Sequence, residues 1–169
     1  MKKIILFFAL GSCLLGVAQT ANAQYQKGDK LANVGIGLGT YGAGGLGFGG
    51  SLEYGIHDAI SVGALGGYSG TNYLGYNFSV ITIGARGSYH FNELLKLGND
   101  KIDLYAGAGL AYRKVSFGGL SGLSAYDTAG GIIPLFHLGG RYYLTDNVAG
   151  YVELGSGFGT AQVGVSFKF

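Results

Sequence analysis

The chain has very little cysteine, and its few charges almost balance. Cys13 is the single cysteine among 169 residues, which also include one proline and no tryptophan. The chain carries eleven basic and nine acidic residues, and two of the lysines, Lys2 and Lys3, lie in an N-terminal segment that we expect to be removed. Because the mature chain would then be neutral, its composition offers no electrostatic basis for binding nucleic acid.

The N-terminal segment has the pattern of a secretory signal peptide. Lys2 and Lys3 precede an apolar run at 4–17, and the small-x-small sequence at 21–23 follows. The run of about 14 apolar residues is short for a membrane-spanning helix, which needs roughly 20. We therefore predict a signal peptide at 1–23, cleaved after Ala23, and a single mature domain at 24–169.

Cys13 leaves one alternative open, because it follows Leu10, Gly11 and Ser12 as in a lipoprotein cleavage box. The apolar run continues past Cys13, which favours cleavage after Ala23 over a lipid-anchored form. Cleavage at that point would leave no cysteine in the mature chain, and hence no disulfide and no thiol chemistry.

Glycine and aromatic residues are abundant. The chain contains 35 glycines, 13 tyrosines and 10 phenylalanines. Disordered segments have few aromatics and low hydrophobicity, so the glycines require a structural explanation.

Apolar residues recur at every second position along most of the chain. In the last nine residues, AQVGVSFKF, alternate positions from Ala161 to Phe169 are apolar. This period of two is typical of a strand with one apolar face and one polar face. The same pattern predicts eight strands, at about 31–40, 46–56, 60–68, 76–91, 102–114, 132–144, 148–156 and 161–169.

The connections between these strands fall into two sets. The segments 57–59, 92–101 and 145–147 would share one end with both termini, and 92–101 is expected to be a short helical or irregular turn. The segments 41–45, 69–75, 115–131 and 157–160 would lie at the other end. An even number of alternating strands is typical of outer-membrane barrels, and closure satisfies every backbone hydrogen bond within lipid. We predict an all-β, eight-stranded, antiparallel, up-and-down transmembrane barrel.

The interior of such a barrel is narrow and filled by side chains. Small inward residues would leave room for the large inward groups, which are Glu53, Arg86, Tyr105, Arg113, Arg141, Tyr143, Tyr151 and Glu153. Aromatics near the strand ends would form girdles at the membrane interfaces. These are Tyr54, Tyr68, Tyr89, Phe91, Tyr142 and Phe169.

The signal peptide, the eight strands and the terminal VGVSFKF together resemble the small outer-membrane barrels of Gram-negative bacteria, of the OmpA-barrel, OmpX and OmpW type. The resemblance implies residence in the outer membrane, contact with its lipids, and recognition by the barrel-assembly machinery through the last strand. The matching residues are Val163, Val165, Phe167 and Phe169.

Charged residues with inward parity suggest an interior polar network. They are Glu53, Arg86, Asp103, Arg113, Arg141, Glu153 and Lys168. Buried charges must be paired or hydrated, so these side chains either brace the wall or line a water-filled path for small solutes. We favour bracing, because eight strands enclose little free space.

The longest predicted loop, 115–131, is the candidate for contact with a surface ligand, since loops carry function on rigid scaffolds. Its apolar residues are Phe117, Leu120, Leu123 and Tyr126. A cap folded over the barrel mouth is an equal alternative.

Enzymatic and cofactor sites have weak support. Of the three histidines, His137 alone is expected near mid-strand and inward, and their spacing does not suggest a metal site. No Ser-His-acid set can be assembled near the outer rim. The G-x-G-x-x-G spacing at 37–42 lacks the following helix of a nucleotide site. We therefore expect a structural or surface-interaction protein without cofactors. The alternatives are a narrow channel for small or apolar solutes, a lipid-modifying enzyme, and a secreted soluble barrel or sandwich.

Overall fold

The computed structural model describes residues 25–39, 45–73, 76–118 and 128–169. These residues form eight strands in a closed barrel, and every strand pairs antiparallel with its neighbours in sequence. The strands are β1 (Lys30–Leu38), β2 (Leu46–His57), β3 (Ile60–Tyr73), β4 (Tyr76–His90), β5 (Ile102–Gly118), β6 (Thr128–Tyr143), β7 (Val148–Gly155) and β8 (Ala161–Lys168).

The first and last strands close the barrel. In the β1–β8 ladder, Leu31 is opposite Lys168 and Leu38 is opposite Ala161. The predicted eight-stranded all-β barrel is confirmed, including the pairing of the C-terminal strand with the first strand.

The period of two in the sequence separates an apolar outer surface from the interior. Along β1, Val34, Ile36 and Leu38 are exposed, whereas Leu31 and Asn33 are buried. The same alternation exposes large apolar side chains around the wall, up to 76% for Ile132. Within the described residues, no helix is long and apolar enough to cross a membrane.

The strands at the outer end, the end away from both termini, are longer than the sequence analysis predicted. The predicted loop at 69–75 is wrong, because β3 continues to Tyr73, which pairs with Tyr76 of β4. The predicted loop at 115–131 is also too long, since β5 runs to Gly118 and β6 begins at Thr128. Backbone pairing holds these Gly- and Ser-rich segments in the sheet.

The connection between β4 and β5 is an irregular turn at the inner end of the barrel, where both termini lie. Leu95 N donates to Phe91 O at 2.8 Å, and Leu97 N donates to Asn92 O at 3.1 Å. Lys96 has a left-handed backbone with φ of 49°. These bonds close a turn, and the segment does not form a regular helix.

Inward glycines give space to large interior side chains. A Cβ on Gly139 would lie 2.5 Å from Tyr105 Cζ, and one on Gly107 would lie 2.6 Å from His137 Cε1. Such separations are far below ordinary van der Waals contact. Glycine at these positions therefore lets the Tyr105 and His137 rings lie in the narrow interior.

Candidate functional site

The centre of the interior is a carboxylate held by two guanidinium groups. Glu53 Oε1 on β2 accepts from Arg86 Nη2 at 2.8 Å and from Arg141 Nη2 at 2.7 Å. Asn33 Nδ2 on β1 donates to the same oxygen at 2.7 Å. Inward parity on four different strands brings these side chains to one point.

Two further carboxylates complete this cluster. Arg86 Nη1 lies 2.9 Å from both carboxylate oxygens of Glu153, and Tyr105 donates to Glu153 Oε2 at 3.1 Å. Arg141 Nη1 lies 2.9 Å from Asp103 Oδ2. The guanidinium carbon of Arg141 is 4.2 Å from the centroid of the Tyr105 ring. We call Glu53, Arg86, Asp103, Arg141 and Glu153 the central ion cluster. All five are buried, and their mutual pairing offsets the cost of removing charge from water.

The other two predicted network residues lie towards the ends of the barrel. Arg113, near the outer end, donates to Thr82 Oγ1 at 3.2 Å and to Ser156 O at 2.9 Å. Lys168 is near the inner end. Its Nζ lies 3.6 Å from Asp29 Oδ2 and 5.2 Å from the centroid of the Tyr143 ring. The structure thus divides the predicted set into a central cluster and two terminal positions.

The structure places a serine, a histidine and an aspartate together at the inner end. His90 Nδ1 is 2.7 Å from Asp103 Oδ1, and His90 Nε2 is 3.1 Å from Ser61 Oγ. His137, which was expected near mid-strand and inward, is buried, and His90 is buried at the end of its strand. His90 ends β4 with the inward parity of Arg86, and the stagger of the strands brings it beside Ser61.

All three side chains of this trio are buried. Ser61 is fully buried, and its Oγ lies 3.3 Å from Glu53 Oε2. The Tyr25 ring stacks on His90 with centroids 3.5 Å apart and planes inclined by 2°. A serine nucleophile must reach its substrate as well as its base. This Ser61 hydroxyl instead joins the trio to the central ion cluster.

Tyr25, which precedes the first predicted strand, closes the inner end. Its hydroxyl donates to Ile60 O at 2.6 Å, and burial raises the pKa of the phenol above its ordinary value. The segment is fixed further by Lys27 N, which donates to Asp58 Oδ1 at 3.1 Å, and by Gly28 N, which donates to Gly55 O at 2.8 Å. A single aromatic in a polar segment has no periodic signal that would have revealed this role.

The residues of the predicted assembly signal lie on the outer surface. Val163, Val165, Phe167 and Phe169 are exposed. The backbone of Phe169 is paired, since its N–H donates to Lys30 O at 3.0 Å.

The predicted contact loop is only partly within the described structure. Phe117 was placed in a loop, but it belongs to β5, where it is opposite Phe78. Leu120, Leu123 and Tyr126 lie outside the described residues.

Metal-ligating groups are not gathered in the part of the chain that the structure describes. Among those residues, no three His, Cys, Asp or Glu side chains are grouped to hold a metal ion. The trio around His90 contributes one imidazole and one carboxylate, and that carboxylate already accepts hydrogen bonds from Arg141 and Asn92.

Several solved structures with this architecture are small bacterial barrels. The N-terminal barrel domain of Pseudomonas aeruginosa OprF is 20% identical, with a TM-score of 0.57, over 86% of this chain and 100% of that domain. The P. aeruginosa outer membrane protein OprG is 12% identical, with a TM-score of 0.60, over 87% of this chain and 98% of that protein. The chain has the fold of the small eight-stranded outer-membrane barrels.

A third structure with this fold is Ail, the attachment invasion locus protein of Yersinia pestis. It is 13% identical, with a TM-score of 0.50, over 85% of this chain and 100% of Ail. Ail has also been solved in complex with the heparin analogue sucrose octasulfate. No family model and no curated protein matches the sequence. The resemblance predicted from the sequence is thus confirmed for the fold, and fold alone does not fix function.

Proposed function

We propose that the mature chain, 24–169, is an integral outer-membrane barrel with a structural or surface-interaction role. The observation that carries this proposal is the inverted distribution of side chains. Phe48, Phe136 and Leu154 are at least 60% exposed on the outer wall, whereas Arg141 and Asp103 are buried inside. In water such a wall would be a very large exposed apolar surface, which soluble monomers avoid. In lipid the same wall is matched to its surroundings, and the closed ladder leaves no strand edge unpaired.

The interior supports bracing of the wall. Each residue of the central ion cluster has an oppositely charged partner within 2.9 Å. The cavity beside Arg86 and Glu153 measures about 10 Å³, roughly the space of one water molecule. A side-chain-filled lumen of this kind is what eight strands enclose.

A narrow channel for small or apolar solutes is the second candidate. Charged side chains lie along the lumen, and such groups can line a water-filled path. Conductance in planar bilayers separates the two roles. Bracing predicts no steady current above that of the protein-free bilayer. A steady current that changes with Glu53→Gln would favour the channel.

A surface ligand is proposed for the β5–β6 connection. Ail, which has the same fold, is known in complex with a sulfated sugar, and loops on rigid barrels carry such contacts. The test compares two sets of intact cells. One set expresses the native chain, and the other expresses a variant in which a short Gly-Ser turn replaces residues 119–127. Retention on heparin-coated and protein-coated surfaces should fall with the replacement. Equal retention, with both barrels folded, would contradict a contact role for this connection.

Within the described residues, the trio around His90 is the arrangement that most resembles a hydrolytic site for a lipid-modifying activity. A cleft of about 460 Å³ at the inner end borders His90 and Tyr25, but Ser61 does not line it. We therefore expect a fluorophosphonate probe to leave the folded protein unlabelled. Labelling that disappears in Ser61→Ala would favour the enzyme instead.

A further inference from the structure

Phe158 lies inside the outer end of the barrel, although it belongs to a connection between strands. The connection 156–160 joins β7 to β8, and the Phe158 side chain is only 5% exposed. Elsewhere the large apolar residues of this chain lie mostly on the outer wall. The ring has therefore been turned into the lumen, away from solvent.

Glycines on three neighbouring strands form the socket for this ring. A Cβ on Gly49 would lie 2.6 Å from Phe158 Cδ1, and one on Gly37 would lie 3.0 Å from Phe158 Cδ2. A Cβ on Gly67 would overlap Phe158 Cβ, and one on Gly47 would lie 2.8 Å from Phe158 O. Gly49 is opposite Gly67 in the β2–β3 ladder, and Gly37 is opposite Gly47 in the β1–β2 ladder. Residues with side chains would fill this space, so the glycines create the seat of the ring. We call Gly37, Gly47, Gly49 and Gly67 the glycine socket.

Hydrogen bonds from both sides hold the connection over the barrel mouth. Arg113 Nη2 on β5 donates to Ser156 O at 2.9 Å and to Gly157 O at 3.3 Å. On the opposite side, Thr160 N donates to Leu38 O at 2.9 Å, and Thr160 Oγ1 donates to Gly39 O at 2.6 Å. Arg113 is thus a latch for the connection rather than a member of the central ion cluster.

The ring covers polar groups of the interior. The cavity of about 10 Å³ beneath Phe158 is bordered by Asn33, Ser51, Arg86 and Gln162. All four of these side chains are buried. Phe158 therefore separates this polar layer from the outer mouth.

We propose that residues 156–160 form an intramolecular lid, with Phe158 as an aromatic plug that keeps water and small polar solutes of the outer side away from the Asn33–Arg86 layer. Phe158 lies in a connection between strands and not in a strand. Its ring can therefore leave the socket while all eight strands stay paired. Opening the lid releases the Arg113 contacts and exposes the glycine socket and the polar layer to the outer mouth. This inference goes beyond the proposed structural role, because it assigns a device that controls access to the interior.

The test measures how fast a reagent from water reaches the layer beneath the ring. Ser51→Cys is placed in the mature chain, which has no other cysteine at 24–169, and the refolded protein is treated with a water-soluble methanethiosulfonate. Phe158→Ala should speed labelling at least tenfold. Phe136→Ala, which removes a ring from the outer wall where Phe136 is 64% exposed, is the matched control and should leave the rate unchanged. If Ser51→Cys is labelled at the same rate with and without Phe158→Ala, the lid proposal is wrong.

A second variant opens the lid without removing the plug. Gly67→Ala introduces a methyl group that overlaps Phe158 Cβ, so the ring must leave its seat and labelling should again accelerate. Gly150→Ala is its control, because a Cβ at Gly150 would meet no atom within 4 Å. If Gly67→Ala leaves the labelling rate of Ser51→Cys unchanged, the glycine socket does not hold the ring in place. Heat-dependent gel mobility of each variant reports barrel folding separately, so failure of the lid does not imply failure of the barrel.

Discussion

Arg141 Nη2 lies 2.7 Å from Glu53 Oε1, and this pair spans the lumen. Arg141 is on β6 and Glu53 is on β2, four places apart in a ring of eight strands, so the two residues come from opposite walls. Arg86 on β4 pairs with Glu53 and with Glu153 on β7, so the cluster also includes these two strands. The central ion cluster therefore ties together walls that backbone pairing joins only through several intervening strands.

Glu53→Gln should destabilise the barrel strongly. The substitution keeps the shape of the side chain but leaves Arg86 and Arg141 without their shared carboxylate. Removing one partner of a buried ion pair costs about 3–5 kcal/mol. The measurement is urea unfolding of the protein refolded in lipid vesicles, with Glu93→Gln on an exposed turn as the control. A loss below about 1 kcal/mol, in the range of a surface pair, would show that the cluster does not brace the wall.

Tyr25→Phe should weaken the closure of the inner end. The change removes the hydroxyl that donates to Ile60 O but keeps the ring stacked on His90. The expected loss is about 0.5–1.5 kcal/mol, that of one hydrogen bond, and Tyr25→Ala should cost more because the stacking is lost too. Tyr54→Phe, on the exposed outer wall, serves as the control in the same unfolding assay. If Tyr25→Phe and Tyr54→Phe have equal effects, the Tyr25 hydroxyl does not stabilise the barrel.

Deletion of Phe169 should slow assembly more than it destabilises the assembled barrel. The Phe169 ring is exposed and contributes little to the packed interior, whereas the resemblance implies that the assembly machinery reads the terminal aromatic. The measurement is the rate of heat-resistant barrel formation in membranes containing that machinery, with unfolding of the finished barrel measured in parallel. Phe136→Ala removes an outer-wall aromatic elsewhere and should assemble at the native rate. Equal assembly rates for the deletion variant and the native chain would refute the assembly role.

The mature chain should begin at Gln24. Cleavage after Ala23 would leave Tyr25 as the second residue, in position to close the inner end. Intact-mass measurement and N-terminal sequencing of protein isolated from membranes test this directly. A chain that begins at Cys13 and carries lipid would instead establish the lipoprotein alternative.

The alternation of apolar and polar residues predicted the strands well. In a membrane barrel, alternate side chains face lipid, which requires apolar residues, and the packed lumen, which accepts polar ones. The prediction failed at the outer strand ends. Residues 69–72 are Ser, Gly, Thr and Asn, which favour a loop, yet backbone pairing extends β3 through them. Strand propensity depends on context of this kind, which a local pattern does not contain.

The partners within the lumen were less accessible from sequence. Parity indicated that Arg113 and Arg141 point inward, but the stagger of the strands decides that Arg141 reaches Glu53 while Arg113 reaches Ser156. Tyr25 and Phe158 are isolated aromatics in segments without alternation, so their inward positions left no periodic trace. These contacts depend on how the barrel closes, which is a property of the whole sheet.

Gel mobility combined with membrane extraction shows whether the chain is a closed barrel within a membrane. The membrane fraction is washed with carbonate, and the protein that remains is run with and without heating. The mature protein should stay with the membrane, and its mobility should change on heating. Release by carbonate, with the same mobility before and after heating, would contradict a closed barrel within a membrane.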